Sequence, residues 1–127
     1  MKNQENKLLT PLELKVMNIL WSLKKAFVKE IIQKWPDKPE PAYNTISTIV
    51  RILQDKEFVG HESQGRSHQY FPLVSKGKYQ QRLLKNVMDN VFAGSLTGMV
   101  SSLLSQEKLS DKEVHEIKQL LADSDDQ

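Results

Sequence analysis

A chain of 127 residues, 39% hydrophobic and 27% charged, is long enough for one ordinary domain or a small domain with an appendage. The absence of cysteine excludes disulfides, thiolate zinc sites and thiol catalysis, and a mean hydropathy of −0.51 without an apolar run near the roughly 18 residues of a membrane span excludes bilayer insertion. The net charge of +2 is too small to imply a nucleic-acid partner, although residues 1–74 carry 11 basic and 8 acidic side chains and residues 75–127 carry 7 and 8.

Residues 1–6 are polar and lack the apolar core of a secretion signal, so the expected location is cytoplasmic. Thr10-Pro11-Leu12-Glu13 then predicts a helix start. Thr10 caps, Pro11 suits the first helical position, and Glu13 completes a capping box. Leu12, Val16, Met17, Ile19, Leu20 and Leu23, with Trp21 alongside, form one broad buried face, which predicts a helix over about 11–24. Lys24 and Lys25 close it at the negative end of its dipole. Ala26-Phe27-Val28 is a short apolar link with room for a brief strand. A second, short helix carries Ile31, Ile32 and Trp35 to Pro36, where a loop with three of the five prolines begins.

After Pro41 the spacing predicts a third helix. Its buried face is Ala42 or Tyr43, followed by Ile46, Ile49, Val50 and Leu53. Asn44, Ser47, Thr48 and Arg51 lie along its other side. Two β-rich runs, Phe58 to Ser63 and His68 to Leu73, flank a turn around Gly65 and read as a hairpin. From Ser75 the pattern is helical again. Tyr79, Leu83, Leu84, Val87, Met88, Val91 and Phe92 form a dense stripe that Gly94 can end. Leu96, Met99, Val100, Leu103 and Leu104 form a shorter helix. Ser110-Asp111-Lys112-Glu113 is a second capping box, leading into Val114, Ile117, Leu120 and Leu121.

Three helices and a hairpin, in that order, are the order of a winged helix-turn-helix. The third helix of such a module enters the major groove, and the hairpin tip reaches the backbone or minor groove. Asn, Ser, Thr and Arg can bond base edges or phosphates, and no Asp or Glu interrupts the third-helix stripe before Asp55. The expected DNA contacts are Tyr43, Asn44, Thr45, Ser47, Thr48 and Arg51 on the helix, with Arg66 and Ser67 at the hairpin tip. The helical tail carries more apolar surface than a small winged helix can cover. Leu83, Val87, Val91, Met99, Val100, Leu103, Ile117 and Leu121 are therefore the expected homodimer contacts. The fold class is mainly α: a winged-helix DNA-binding domain over 7–74, a helical dimerisation domain over 75–122 and a flexible acidic tail over 123–127.

Leu9-Thr10-Pro11-Leu12-Glu13-Leu14 with Val16-Met17-Asn18-Ile19-Leu20-Trp21, then Ala42-Tyr43-Asn44-Thr45-Ile46, then Gly65-Arg66-Ser67-His68-Gln69-Tyr70, come in a specific order and spacing. Over about 7–122 the chain resembles the penicillinase and methicillin-resistance repressors, the BlaI/MecI family, with their copper-responsive CopY relatives. The resemblance implies a cytoplasmic dimeric repressor of antibiotic-resistance genes that binds double-stranded, inverted-repeat operators. It also implies release when a membrane sensor with a metalloprotease domain triggers cleavage in the tail. Two departures stand out. The family's Asn-Phe cleavage site is matched here by Ser102-Leu103, and the paired Cys motifs of the copper branch are missing.

An enzyme is the rival class. His61, His68 and His115 come with no carboxylate–histidine or Gly-rich phosphate motif. His61 and His68 can approach across the hairpin, but two imidazoles make a poor metal set, and Glu62 points to the opposite strand face. Ser67-His68 is a pair of turn neighbours and no triad. Catalytic residues, metal and cofactor are thus expected to be absent. A second rival is a winged helix used only for protein–protein contact.

Overall fold

The computed structural model describes residues 8–106 and 109–125. Its elements run α1 (Pro11–Leu23), α2 (Val28–Gln33), α3 (Tyr43–Asp55), β1 (Val59–Gln64), β2 (Ser67–Pro72), α4 (Lys76–Asn90), α5 (Leu96–Gln106) and α6 (Asp111–Asp125). They fall into two compact units, Met1–Lys85 and Asn86–Gln127, divided within α4.

In the first unit, α1 begins as its sequence dictates. Thr10 Oγ1 accepts from the Glu13 N–H at 3.2 Å, and Glu13 Oε1 accepts from the Thr10 N–H at 2.8 Å. Val16, Met17, Ile19 and Leu20 are buried at helical spacing. The helix stops at Leu23, where Lys24 adopts φ 74 and its N–H bonds back to the Leu20 carbonyl. Beyond this stop, Ala26 and Tyr70 exchange backbone hydrogen bonds of 2.9 and 2.8 Å. The apolar link is thus a single bridge along β2.

The second helix is shorter than its apolar spacing predicts. It ends at Gln33, and Trp35 lies beyond it, half-buried against the core. The Trp35 N–H bonds to Ile32, three residues back, at 3.1 Å. Pro36 follows, and a residue before proline is disfavoured from helical geometry. In α3, Ile46, Val50 and Leu53 are fully buried and Ile49 partly so. Neither Ala42 nor Tyr43 belongs to that face: Ala42 is the exposed N-cap and Tyr43 is 58% exposed. The first turn of α3 projects past the core, so helical spacing alone does not bury it.

Among the described residues Glu13 is the only charged group that is buried, at 3% exposure. Lys56, the C-cap of α3, reaches both of its oxygens at 2.9 and 2.8 Å, joining the start of α1 to the end of α3. Burial pushes the Glu13 carboxyl upward, but the Lys56 and Thr10 hydrogen bonds outweigh it and hold the group below its usual range. A depressed carboxylate stabilises the fold above its unfolded pKa, and that contribution is lost as pH falls through the folded value. Unfolding free energy is therefore expected to decline as pH drops below about 4. Glu13→Gln should cost about 2 kcal/mol at pH 7 and remove part of the decline, as read by urea denaturation across pH. An unaltered acid limb in the variant would contradict this role.

The strands pair antiparallel, with Val59 opposite Pro72, His61 opposite Tyr70 and Gln64 opposite Ser67. That leaves a two-residue loop, Gly65-Arg66, in which Gly65 takes φ +65, a region favouring glycine. At the base of the hairpin Phe58 is buried, and its ring meets Tyr79 edge-on at 5.9 Å. Trp21 lies 6.1 Å from the same tyrosine ring and donates from Nε1 to the Val74 carbonyl at 2.8 Å. The Tyr79 hydroxyl accepts from the Leu9 N–H at 2.9 Å. Tyr79, read in the sequence as part of the tail stripe, thus completes the core of the first unit at 4% exposure.

In the second unit, α4 ends at Asn90, before Val91 and Phe92. The Gly94 N–H bonds back to Met88 at 2.8 Å, with Gly94 at φ +80. Ser110 and Glu113 form the expected capping box at the start of α6, with bonds of 3.1 and 3.2 Å. That helix continues through Asp125, so it includes residues 123–125 of the acidic stretch; residues 126–127 lie outside the described residues. No described helix is long and apolar enough to cross a membrane.

Candidate nucleic-acid interface

The stripe on α3 opens outward because the opposite face is committed to the core. With Ile46, Val50 and Leu53 buried, Asn44, Thr45, Thr48 and Arg51 are exposed, and Ser47 is half-buried on the flank. Beside that flank, α2, α3 and the hairpin enclose a cleft of about 320 Å³. Its walls are Phe27, Val28 and Lys29 from the start of α2, Tyr43 and Ser47 from α3, and Gln64, Arg66, Ser67, His68 and Tyr70 from the hairpin. Tyr43, Ser47, Arg66 and Ser67 are brought together here, whereas Asn44, Thr45, Thr48 and Arg51 lie outside the cleft on the exposed helix surface.

The lining contains two cations, Lys29 and Arg66, four hydroxyl groups from Ser47, Ser67, Tyr43 and Tyr70, and no carboxylate. Such a concavity attracts an anion and offers it donors. At its floor Tyr70 is 6% exposed, and burial raises its hydroxyl above the ordinary range against the opposing charge of Arg51. The phenol is therefore neutral at physiological pH and keeps its proton as a donor.

Six lining residues are not among the contacts expected from the sequence: Phe27, Val28 and Tyr70, which read as apolar or strand positions, and the polar Lys29, Gln64 and His68. Lys29 gave no signal, since a lone lysine on a six-residue helix resembles any solvated charge. Gln64 and His68 were legible only as hairpin residues, because which strand face turns to α3 depends on packing. The hairpin face itself carries His61, His68 and Tyr70 in mutual contact, and His61 Nδ1 stands 2.6 Å from Gln54 Oε1 on α3. Among the described residues no three His, Cys, Asp or Glu side chains gather where they could hold a metal ion.

The tail residues are differently disposed. Leu83, Val91, Val100, Leu103, Ile117 and Leu121 are exposed, together with Leu84, Leu96, Leu104 and Leu120. Val87 and Met99 are half-buried. Ser102-Leu103 lies inside α5, with both side chains exposed.

Comparison with known proteins spans both units. The chain is 28% identical over 109 residues to the methicillin resistance regulatory protein MecI of Staphylococcus aureus (strain N315), covering 86% of this chain and 89% of that one. To the penicillinase repressor of Bacillus licheniformis it is 27% identical over 109 residues, covering 86% and 85%. The solution structure of the DNA-binding domain of the repressor BlaI superposes with a TM-score of 0.51 at 25% identity, over 62% of this chain and 94% of that one. This agrees with the winged helix-turn-helix built by α1, α2, α3 and the hairpin. The model of the penicillinase repressor family matches residues 9–123, from the cap of α1 into α6, and the chain belongs to that family, one of repressors and not of enzymes.

Proposed function

We propose that the protein is a sequence-specific DNA-binding repressor of the BlaI/MecI type, acting in the cytoplasm as a homodimer on palindromic operators. The carrying observation is the carboxylate-free cleft with its flanking cations, set beside the exposed polar face of α3. In this reading Asn44, Thr45, Thr48 and Arg51 meet base edges in the major groove. Tyr43, Ser47, Arg66 and Ser67 hold the adjoining backbone, joined by Lys29. The winged helix extends over 7–74 with Tyr79 of α4 as its closing residue, and residues 75–122 supply the dimer through Leu83, Val87, Val91, Met99, Val100, Leu103, Ile117 and Leu121. Six of these eight are exposed on a single chain, a disposition that a second copy would cover.

Release follows proteolysis of the tail, under a membrane sensor and protease system acting directly or through an intermediate. Ser102-Leu103, the position matching the family's cleavage site, is helical, and a protease needs extended backbone. Cutting there requires local opening of α5, which the serines at 101, 102 and 105 make easier than a run of strong helix formers would.

The test is a fluorescence-anisotropy titration of the promoter duplex ahead of the protein's own gene and of a random duplex, across salt. Preferential promoter binding with a steep salt slope supports the repressor. Affinity for a protein partner with no DNA binding would replace it with an interaction module. Within the same assay Arg51→Ala is expected to weaken promoter binding about tenfold or more with folding intact. If Arg51 reads a base, specificity relaxes at one position; if it bonds a phosphate, the salt slope falls by about 1. Undiminished affinity would remove Arg51 from the interface. Arg66→Glu should lower binding to promoter and random duplex alike, because a hairpin-tip cation positions the backbone and reads no base. A loss confined to the promoter would make Arg66 a base reader instead.

A further inference from the structure

Three rings share the hairpin face that meets α3. His61 and His68 touch edge to face with centroids 4.3 Å apart, and Tyr70 lies 5.9 Å from His61 and 6.3 Å from His68. The strand register causes this. His61 stands opposite Tyr70 and Ser63 opposite His68, so His68 is the diagonal neighbour of His61 on one face. Gln54 Oε1 fixes the inner imidazole, 2.6 Å from His61 Nδ1. An amide oxygen only accepts, so this contact is a hydrogen bond when Nδ1 carries a proton. His68 also lines the cleft, together with Arg66 and Ser67 of the hairpin and Lys29 of α2.

We propose that His68, backed by His61, is a proton-linked phosphate contact: the pair takes up one proton when a DNA backbone phosphate enters the cleft. This rests on the repressor reading above and adds a residue and a proton to it. The charged and titratable groups that share the cleft with His68 are Lys29 from α2, Tyr43 from α3, and Arg66 and Tyr70 from the hairpin, and Arg51 of α3 acts on Tyr70 from outside it. All are cationic or neutral at physiological pH. The hairpin's carboxylate, Glu62, alternates to the other strand face and pairs with Lys25 at 3.5 Å. An imidazolium at the cleft therefore has cations for neighbours. A phosphodiester reverses the sign of that field and gives the imidazolium an acceptor. Two imidazoliums at ring-contact distance repel, so the pair takes one proton and not two. Histidine is the side chain whose charge ordinarily changes between pH 5 and 8, so the linkage falls in a physiological range.

The experiment measures anisotropy of the promoter duplex and of a random duplex from pH 5.5 to 8.5 at fixed salt. Calorimetric titrations in buffers of unlike ionisation heat count the protons. Wild-type affinity for both duplexes should rise as pH falls, by up to about tenfold per pH unit for each protomer bound and so up to about a hundredfold for a dimer on the whole operator, with uptake close to one proton per protomer. In His68→Gln the uptake and the pH dependence should disappear. In His61→Gln they should persist, because the imidazole at the cleft remains. Both positions are exposed, so the variants should fold, which circular dichroism checks. Binding that is flat with pH, or an equal proton count in His68→Gln, overturns the proton linkage and leaves the repressor reading standing. Failure to bind either duplex at every pH overturns both.

Discussion

Cutting the chain after Lys85 is expected to lower promoter affinity by two to four orders of magnitude while leaving the winged helix folded. If the full-length protein is the proposed dimer, it binds two half-sites at once and each domain raises the effective concentration of the other. A monomeric fragment meets each half-site separately and loses that advantage, with its own contacts to DNA unchanged. The cut falls at the boundary between the two compact units and keeps Tyr79, so lost binding cannot be attributed to a damaged core. Sedimentation of both proteins should give a dimer and a monomer. Their affinity for an isolated half-site should agree within a few-fold, whereas their affinity for the whole operator should not. A monomeric full-length chain, or a fragment that binds the whole operator as tightly as the parent, would end the dimer account.

The second large effect is on stability. Tyr79→Ala is expected to destabilise the winged helix by about 3–5 kcal/mol, since it removes a buried aromatic from between two others. A small domain has about 5–15 kcal/mol in total, so the variant should lie near its unfolding transition at growth temperature. Tyr79→Phe keeps the ring and loses only the bond from the Leu9 N–H, which should cost about 1 kcal/mol. Urea unfolding of the 1–85 fragment measures both. Ending the chain at 74 should be as damaging as Tyr79→Ala or worse, because α4 is then missing altogether. If a 1–74 fragment proved as stable as 1–85, Tyr79 would have no part in the core.

Much of this architecture is legible in the sequence, and the parts that are not share a cause. Thr10 to Glu13 and Ser110 to Glu113 announce their helices because a capping box is a local device, complete within four residues. The face of α3 is readable from Ile46, Val50 and Leu53 because period and burial agree there. The first turn of the same helix is not, since Tyr43 satisfies the period but has no core beneath it. Tyr79 fails in the opposite sense: its spacing fits the tail stripe, and only packing reveals Trp21 and Phe58 around it. The cleft depends on how three elements converge, so Lys29 carries no mark in the sequence and His68 only its approach to His61 across the hairpin. The polar stripe of α3 and the tip residue Arg66 do, because helical period and turn chemistry fix them locally.

The hydrogen bond between Leu9 and Tyr79 spans nearly the whole first unit, and it bears on how the protein is made. Helices α1 to α3 contact one another over short sequence distances and can associate early, but the aromatic lock needs a residue translated long after them. A nascent chain therefore holds an incomplete domain until α4 has left the ribosome, and α5 and α6 emerge later still. On the proposed dimer reading, the winged helix of a newborn chain can close no earlier than α4 is made, and the segment that would recruit a second copy is completed only after that. Operator occupancy in a growing cell would then follow the meeting of completed chains, with synthesis and assembly as separate steps.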